Sequence, residues 1–177
     1  MKRRKLIYGI ITILVVGMAA WVLFRPERLW VNTTVNEGLP VTALPARGTT
    51  PTNAEPVTLA AGKFHGVAHA GVGTATVYQL ADGKRLLRFT NFETSNGPDV
   101  RVYLVAAEDA RDGETVKKAG FVEVGVLKGN IGDQNYDVPA TIDLAKYRAV
   151  TIWCKRFSVN FATAPLTVAQ PKGAQKL

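Results

Sequence analysis

Val150-Thr151-Ile152-Trp153-Cys154-Lys155-Arg156-Phe157-Ser158-Val159-Asn160-Phe161 holds the only cysteine of the chain, and the alternation within it sets the fold class. In extended backbone, side chains alternate between faces. Val150, Ile152 and Cys154 therefore point one way, and Thr151, Trp153 and Lys155 the other. After Cys154 the apolar set resumes as Phe157, Val159 and Phe161, one position out of phase, a shift that a β-bulge at Lys155-Arg156 would produce. A bulge beside a lone thiol suits a functional cysteine, while a thiol sharing a face with aliphatic residues suits a small core hydrophobe. Both readings stand at this point.

Working outward, the texture from Val57 onward is of short apolar runs punctuated by turn residues. Gly73 to Leu80 and Lys84 to Phe89 flank Ala81-Asp82-Gly83, a three-residue hairpin connection with glycine where a left-handed residue is needed. Asn96-Gly97-Pro98 marks the next turn. Val100, Val102 and Leu104 then alternate against Arg101, Tyr103 and Val105. Ala106 to Gly120 is polar and broken by glycine, with one helical turn at most over Glu114 to Ala119. Further strands are expected at Phe121 to Leu127, Ala140 to Leu144 and Arg148 to Cys154, with Phe157 to Phe161 closing the set. Short strands and no long amphipathic helix predict an all-β fold, an antiparallel β-sandwich over residues 57–167.

The chain ahead of this domain is of another kind. Leu6 to Phe24 runs 19 residues without a charge behind Lys2-Arg3-Arg4-Lys5, a length that suits a bilayer-spanning helix. Small residues at Gly17-Met18-Ala19 raise the alternative of a cleaved signal peptide, but the apolar run continues through Trp21-Val22-Leu23-Phe24 beyond that point, which favours a retained anchor. The basic cluster of residues 1–5 outweighs Arg25 and Arg28, so the positive-inside rule places the N-terminus in the cytoplasm and everything after Phe24 outside. Residues 25–56, with Pro26, Pro40, Pro45, Pro51 and Pro56 and no sustained period, read as an extracytoplasmic linker. Within it, Leu29 to Pro40 keeps enough apolar residues to pack on the membrane or the domain. Residues 168–177 read as a disordered tail.

Composition removes several function classes. The net charge of +8 is carried mostly by residues 1–28, at +5, while residues 57–167 carry only +2, so nucleic-acid binding is not expected. One cysteine gives neither an internal disulfide nor a cysteine metal cluster, and two histidines, His65 and His69, exclude a multi-histidine site. Asp133-Gln134-Asn135-Tyr136-Asp137 spaces oxygens as a calcium loop does. Val138 and Leu144 stand where that loop needs Gly and Glu, so a structural turn is the expectation. Ser95 and Ser158 lie in no nucleophile elbow, and Gly71-Val72-Gly73 lacks the context of a phosphate loop.

Several blocks then recur in a recognisable order. These are Gly62-Lys63-Phe64 with His69 and Gly73; Arg88 to Thr94; Gly97 to Leu104; Leu127 to Pro139; and Val150 to Cys154 with Phe157, Val159, Phe161 and Ala164. In that order and spacing residues 57–167 resemble the DM13 domain. The resemblance implies a membrane-anchored or cell-surface module with a proposed electron-transfer role, acting through the cysteine of the Ile-Trp-Cys block, here Cys154, as a bare thiol or as a ligand of a group such as haem. On that reading Cys154 is the candidate redox thiol, with Trp153 and Lys155 in support. Haem would add His69 as a weaker second ligand. Covalent attachment of the c type is out, since no Cys-x-x-Cys-His occurs. A lowered thiol pKa would need Lys155 or Arg156 on the thiol's side, whereas strict alternation puts Lys155 opposite. The expected partners are the membrane, through Leu6 to Phe24, and a redox partner or envelope protein. The alternative is a binding or structural module of the cell surface in which Cys154 is packed in the core. Whether any enzymatic activity exists is left open by the motifs.

Overall fold

A computed structural model describes residues 2–24, 31–40 and 55–169. Helix α1, Lys2–Phe24, is 23 residues long with its described side chains exposed all round. At 1.5 Å per residue its length is about 35 Å, enough to cross a hydrocarbon core of about 30 Å. By length and composition it can span a membrane.

The remaining elements, in chain order, are β1 (Thr34–Asn36), β2 (Val57–Lys63), β3 (His65–Gly66), β4 (Gly71–Gln79), β5 (Arg85–Thr94), β6 (Val100–Val105), α2 (Gly113–Ala119), β7 (Phe121–Val126), β8 (Ile131–Val138), β9 (Ala149–Cys154), β10 (Val159–Pro165) and β11 (Thr167–Val168). They form two sheets, one of six strands ordered β1-β8-β5-β4-β2-β11 and one of five ordered β3-β10-β9-β6-β7. All pairings are antiparallel except that of β1 with β8. The expected antiparallel sandwich is therefore what forms.

Between the sheets lies one apolar core. Phe64, Phe89, Phe92 and Tyr136 make an aromatic knot, with Phe89 5.0 Å from both Phe64 and Phe92 and 5.3 Å from Tyr136 between ring centres. The five-stranded sheet adds Val100, Val102, Leu104, Val150, Ile152 and Cys154. A second, smaller cluster occupies that sheet's outer face, where Tyr103, Val105, Ala149 and Trp153 pack beneath Ala110 and Val116. Every residue of β9 is buried because both of its faces are covered, one by the opposite sheet and the other by the 106–119 segment. Helix α2 is short but capped, Asp112 accepting from the Thr115 amide at 2.6 Å.

Three local expectations change. The parity shift after Cys154 is a chain reversal, with turn residues 155–158 joining β9 to β10; a register irregularity does occur, but further on, between Asn160 and Ala162. Residues 133–137, expected as a turn, lie inside β8, because Gln134, Tyr136 and Val138 alternate inward at period two. Residues 140–144, expected as a strand, form turns after Pro139: the Ile142 amide donates to the Pro139 carbonyl, the Tyr147 amide to that of Asp143, and Ile142 and Leu144 still reach the core. The hairpin at Ala81-Asp82-Gly83 stands as expected, with Gly83 at φ 83°. Of the linker over 25–56, residues 25–30 and 41–54 lie outside the described residues, as do 170–177 of the tail over 168–177; the start of that tail is ordered, Val168 pairing with Ala60 and the Ala169 amide donating to the Leu59 carbonyl at 2.8 Å.

The segment 31–38 docks on the domain. Its strand β1 pairs Thr34, Val35 and Asn36 with Ile131, Gly132 and Asp133. Gly132, at φ 101°, is required here, because a Cβ would collide with the Val35 carbonyl. Asn130 holds the entry, accepting from the Thr33 amide at 2.7 Å and donating to Asn32 at 2.9 Å. Glu37 holds the exit: its carboxylate accepts from Lys128 Nζ and the Asn135 amide, both at 2.7 Å, and its carbonyl from Arg88 at 2.8 Å. Partial burial raises the Glu37 pKa, but the hydrogen bonds from Lys128 and Asn135 and the nearby charges of Lys128 and Arg88 outweigh it, and the group lies below its usual range. A carboxylate lowered in the folded state contributes stability above its unfolded pKa and loses it as pH falls through the folded value. The amide resonances of Thr34 to Asn36 are accordingly expected to shift toward undocked values in acid below the usual glutamate range. Glu37→Gln should abolish that titration, as NMR across pH would show.

Candidate functional site

Cys154 is the last residue of β9, paired with Val100 of β6 on one side and Val159 of β10 on the other. Its exposure is 0%, and it faces the main core with Val150 and Ile152. The face assignment made from alternation therefore holds. Trp153, on the opposite face, is 5% exposed and stacks toward Tyr103 at 6.2 Å, which in turn stacks on Phe121 at 4.3 Å. Phe121 is 44% exposed, so this aromatic row runs from beside the thiol to the surface. Burial, then the charge of Glu123, pushes the Tyr103 phenol up and keeps it protonated.

Lys155 turns from the thiol. Its amide donates to the Asp99 carbonyl at 2.8 Å, and its ammonium lies 3.6 Å from Glu123. Arg101 shares that partner, bonded to Glu123 at 2.8 Å and to Asp99 at 2.6 Å. His69 is exposed, with its ring packed 4.0 Å from that of Phe161, a core neighbour of the cysteine. No hydrogen bond joins Cys154 to Lys155 or His69 among the described residues. The structure thus brings Cys154 and Trp153 together through adjacency, and sends Lys155 and His69 into contacts of their own.

Other polar features are latches. His65 bonds Asp109 at 3.0 Å, and Arg111 bonds the same carboxylate at 2.7 Å, tying β3 to the loop that precedes α2. Burial raises Asp109, yet the bonds from Arg111 and His65 prevail and hold it below its usual range. Gln134, fully buried, accepts from the Tyr136 hydroxyl at 2.7 Å and donates to the Gly129 carbonyl at 2.8 Å, fixing the 127–130 loop. No group of three or more His, Cys, Asp or Glu side chains able to hold a metal occurs among the described residues.

A cleft of about 660 Å³ opens beside the thiol's strand, lined by Val31 and Thr33 of the arm, the 96–101 segment and residues 126–129. Val100 forms part of its wall, so one strand residue separates it from Cys154. Sequence reasoning missed this feature, because its walls come from segments up to 98 positions apart. Asn96-Gly97-Pro98 was the one local signal, and it announced only a turn.

Haem fits these donors poorly. Cys154 is closed in by its own sheet and the core, and the His69 ring lies on Phe161 instead of facing the sulfur. An axial pair must flank an open planar slot.

A two-sheet antiparallel sandwich with one enclosed cysteine at the end of its central strand, next to a tryptophan, defines the class. The chain belongs to the DM13 family: the family model described as "Electron transfer DM13" matches residues 63–166. No curated protein and no solved structure gives a significant match.

Proposed function

We propose that the chain is a membrane-anchored extracytoplasmic module with a redox role, α1 being its anchor and Cys154 the thiol through which it acts. The observation that carries this reading is the electron-transfer family match over residues 63–166, which includes this chain's only cysteine. Trp153 shapes the site by filling the opposite face of the same strand. The basic residues at the start of α1, Lys2 to Lys5, set the orientation, with residues 1–5 cytoplasmic. Because the thiolate is the reacting species and the sulfur is sealed, exchange with a partner requires local opening, at the 155–158 turn or the 95–99 loop.

A second reading, a non-catalytic binding or structural module of the cell surface, is favoured by the burial itself. A thiol at 0% exposure also serves as a small core hydrophobe.

Thiol modification of the full chain in detergent separates the two. For the redox reading, native protein is expected to be modified faster than global unfolding allows, with a rate that rises with pH, and Cys154→Ala to be inert. The isolated protein is expected to show no Soret band. A thiol that reacts only after denaturation would overturn the redox reading and leave the binding module.

A further inference from the structure

We infer that the end of the sandwich carrying the 155–158 turn is a docking surface for the lipid bilayer. The inference rests on the reading of α1 as a membrane anchor. Only residues 25–30 lie between Phe24 and Val31, and fully extended the seven Cα steps span at most about 25 Å. Val31 is already part of the domain, its carbonyl accepting from Asn96 at 2.8 Å. The arm therefore removes residues 31–40 from the tether, and the end of the sandwich it reaches is held close to the membrane. That end is the 155–158 end: Val31 and Asp99 line one cleft, and Asp99 bonds the Lys155 amide.

The tip of the turn matches a headgroup layer. Phe157 is 52% exposed, an aromatic side chain held off the core by a tight reversal in which Ser158 adopts φ 53°. Arg156 is exposed and forms no ion pair among the described residues. The charged groups around it are largely engaged with one another, Lys155 and Arg101 with Glu123, Arg101 with Asp99, and Lys128 with Glu37. One free guanidinium beside an exposed ring is the pairing that interfacial segments use, the ring entering about 5–10 Å and the cation contacting anionic headgroups. Each such cation is worth about fivefold in partitioning to an anionic surface. The opposite end, at the Ala81-Asp82-Gly83 hairpin, lies a full strand length away.

The test uses the full chain in nanodiscs of phosphatidylcholine and phosphatidylglycerol doped with a headgroup spin label. Amide signals of residues 155–158 are expected to relax several-fold faster than those of residues 82–84, which lie a strand length farther from the label. In the double variant Arg156→Glu/Phe157→Ser the difference should shrink to the part that the short tether alone imposes. Equal relaxation in the unmodified chain overturns the docking surface, as does enhancement at 155–158 that the double variant leaves unchanged. A chain that fails to enter discs overturns the anchor reading instead, and this inference with it; disc incorporation is scored separately, so the two failures are distinguishable.

Discussion

Phe89→Ala is expected to cost about 3–5 kcal/mol and to lower the melting temperature by about 10–20 °C. Phe89 is 0% exposed and touches three other aromatic rings, so truncation leaves a cavity that stiff neighbours on two sheets cannot collapse into. The strand pairs Ala75 on one side and Gln134 on the other. Loosening it also loosens the 127–130 loop that Gln134 fixes, and with it the platform on which the arm docks. Thermal unfolding followed by circular dichroism checks the magnitude. Phe89→Leu, which keeps most of the volume, should recover more than half of the loss. A loss below about 1 kcal/mol would mean that the knot is not the centre of the core.

The second large effect is expected at Trp153. Trp153→Ala should cost about 3–5 kcal/mol, because the indole is 5% exposed and fills the space between Tyr103 and the 110–116 cover. Trp153→Phe retains an aromatic face and should cost about half as much. The variant also bears on the thiol. Removing the indole loosens the outer face of β9, so Cys154→Ala and Trp153→Ala should be less than additive in stability. Thiol modification of Cys154 in Trp153→Ala should accelerate under native conditions. An unchanged modification rate in a destabilised variant would place the opening that exposes the sulfur elsewhere, at the 95–99 loop or among the β10 contacts.

Much of this architecture could be read along the chain. The period of two in Val100 to Val105 and in Val150 to Cys154 gave the inward and outward sets correctly, because strand alternation is a local property of extended backbone. The Asp82-Gly83 hairpin was legible from equally local turn residues, whereas the helix Gly113–Ala119, capped by Asp112, runs longer than the single turn expected over Glu114 to Ala119. Where the reading failed, two local signals competed. Asp133 to Asp137 is polar enough to suggest a turn, yet its alternate members Gln134 and Tyr136 face the core, as Val138 does after them, and Gln134 and Tyr136 bond each other there. Ala140 to Leu144 has the composition of a strand, but it follows Pro139 and precedes Asp143, whose side chain accepts from the Ala145 amide at 2.8 Å and closes a turn. The out-of-phase apolar residues after Cys154 fit a bulge or a reversal equally well in one dimension. Only the partner of β9 distinguishes them.

The sequence by itself determined that this is a sandwich of short strands behind one apolar helix, that most of its net charge lies outside the domain, and that its thiol shares a face with Val150 and Ile152. Those properties depend on composition and on neighbours one to four residues apart. The tertiary structure alone decided that the thiol is sealed, that Lys155 faces Glu123 and His69 lies on Phe161, and that the arm begins at Val31 in a cleft shared with Asp99. Each of these depends on pairings across tens of residues, such as Glu37 with Lys128 at a separation of 91. Such pairings follow from which strands become neighbours, and strand order is set by the packing of whole sheets, which no local window of the chain contains.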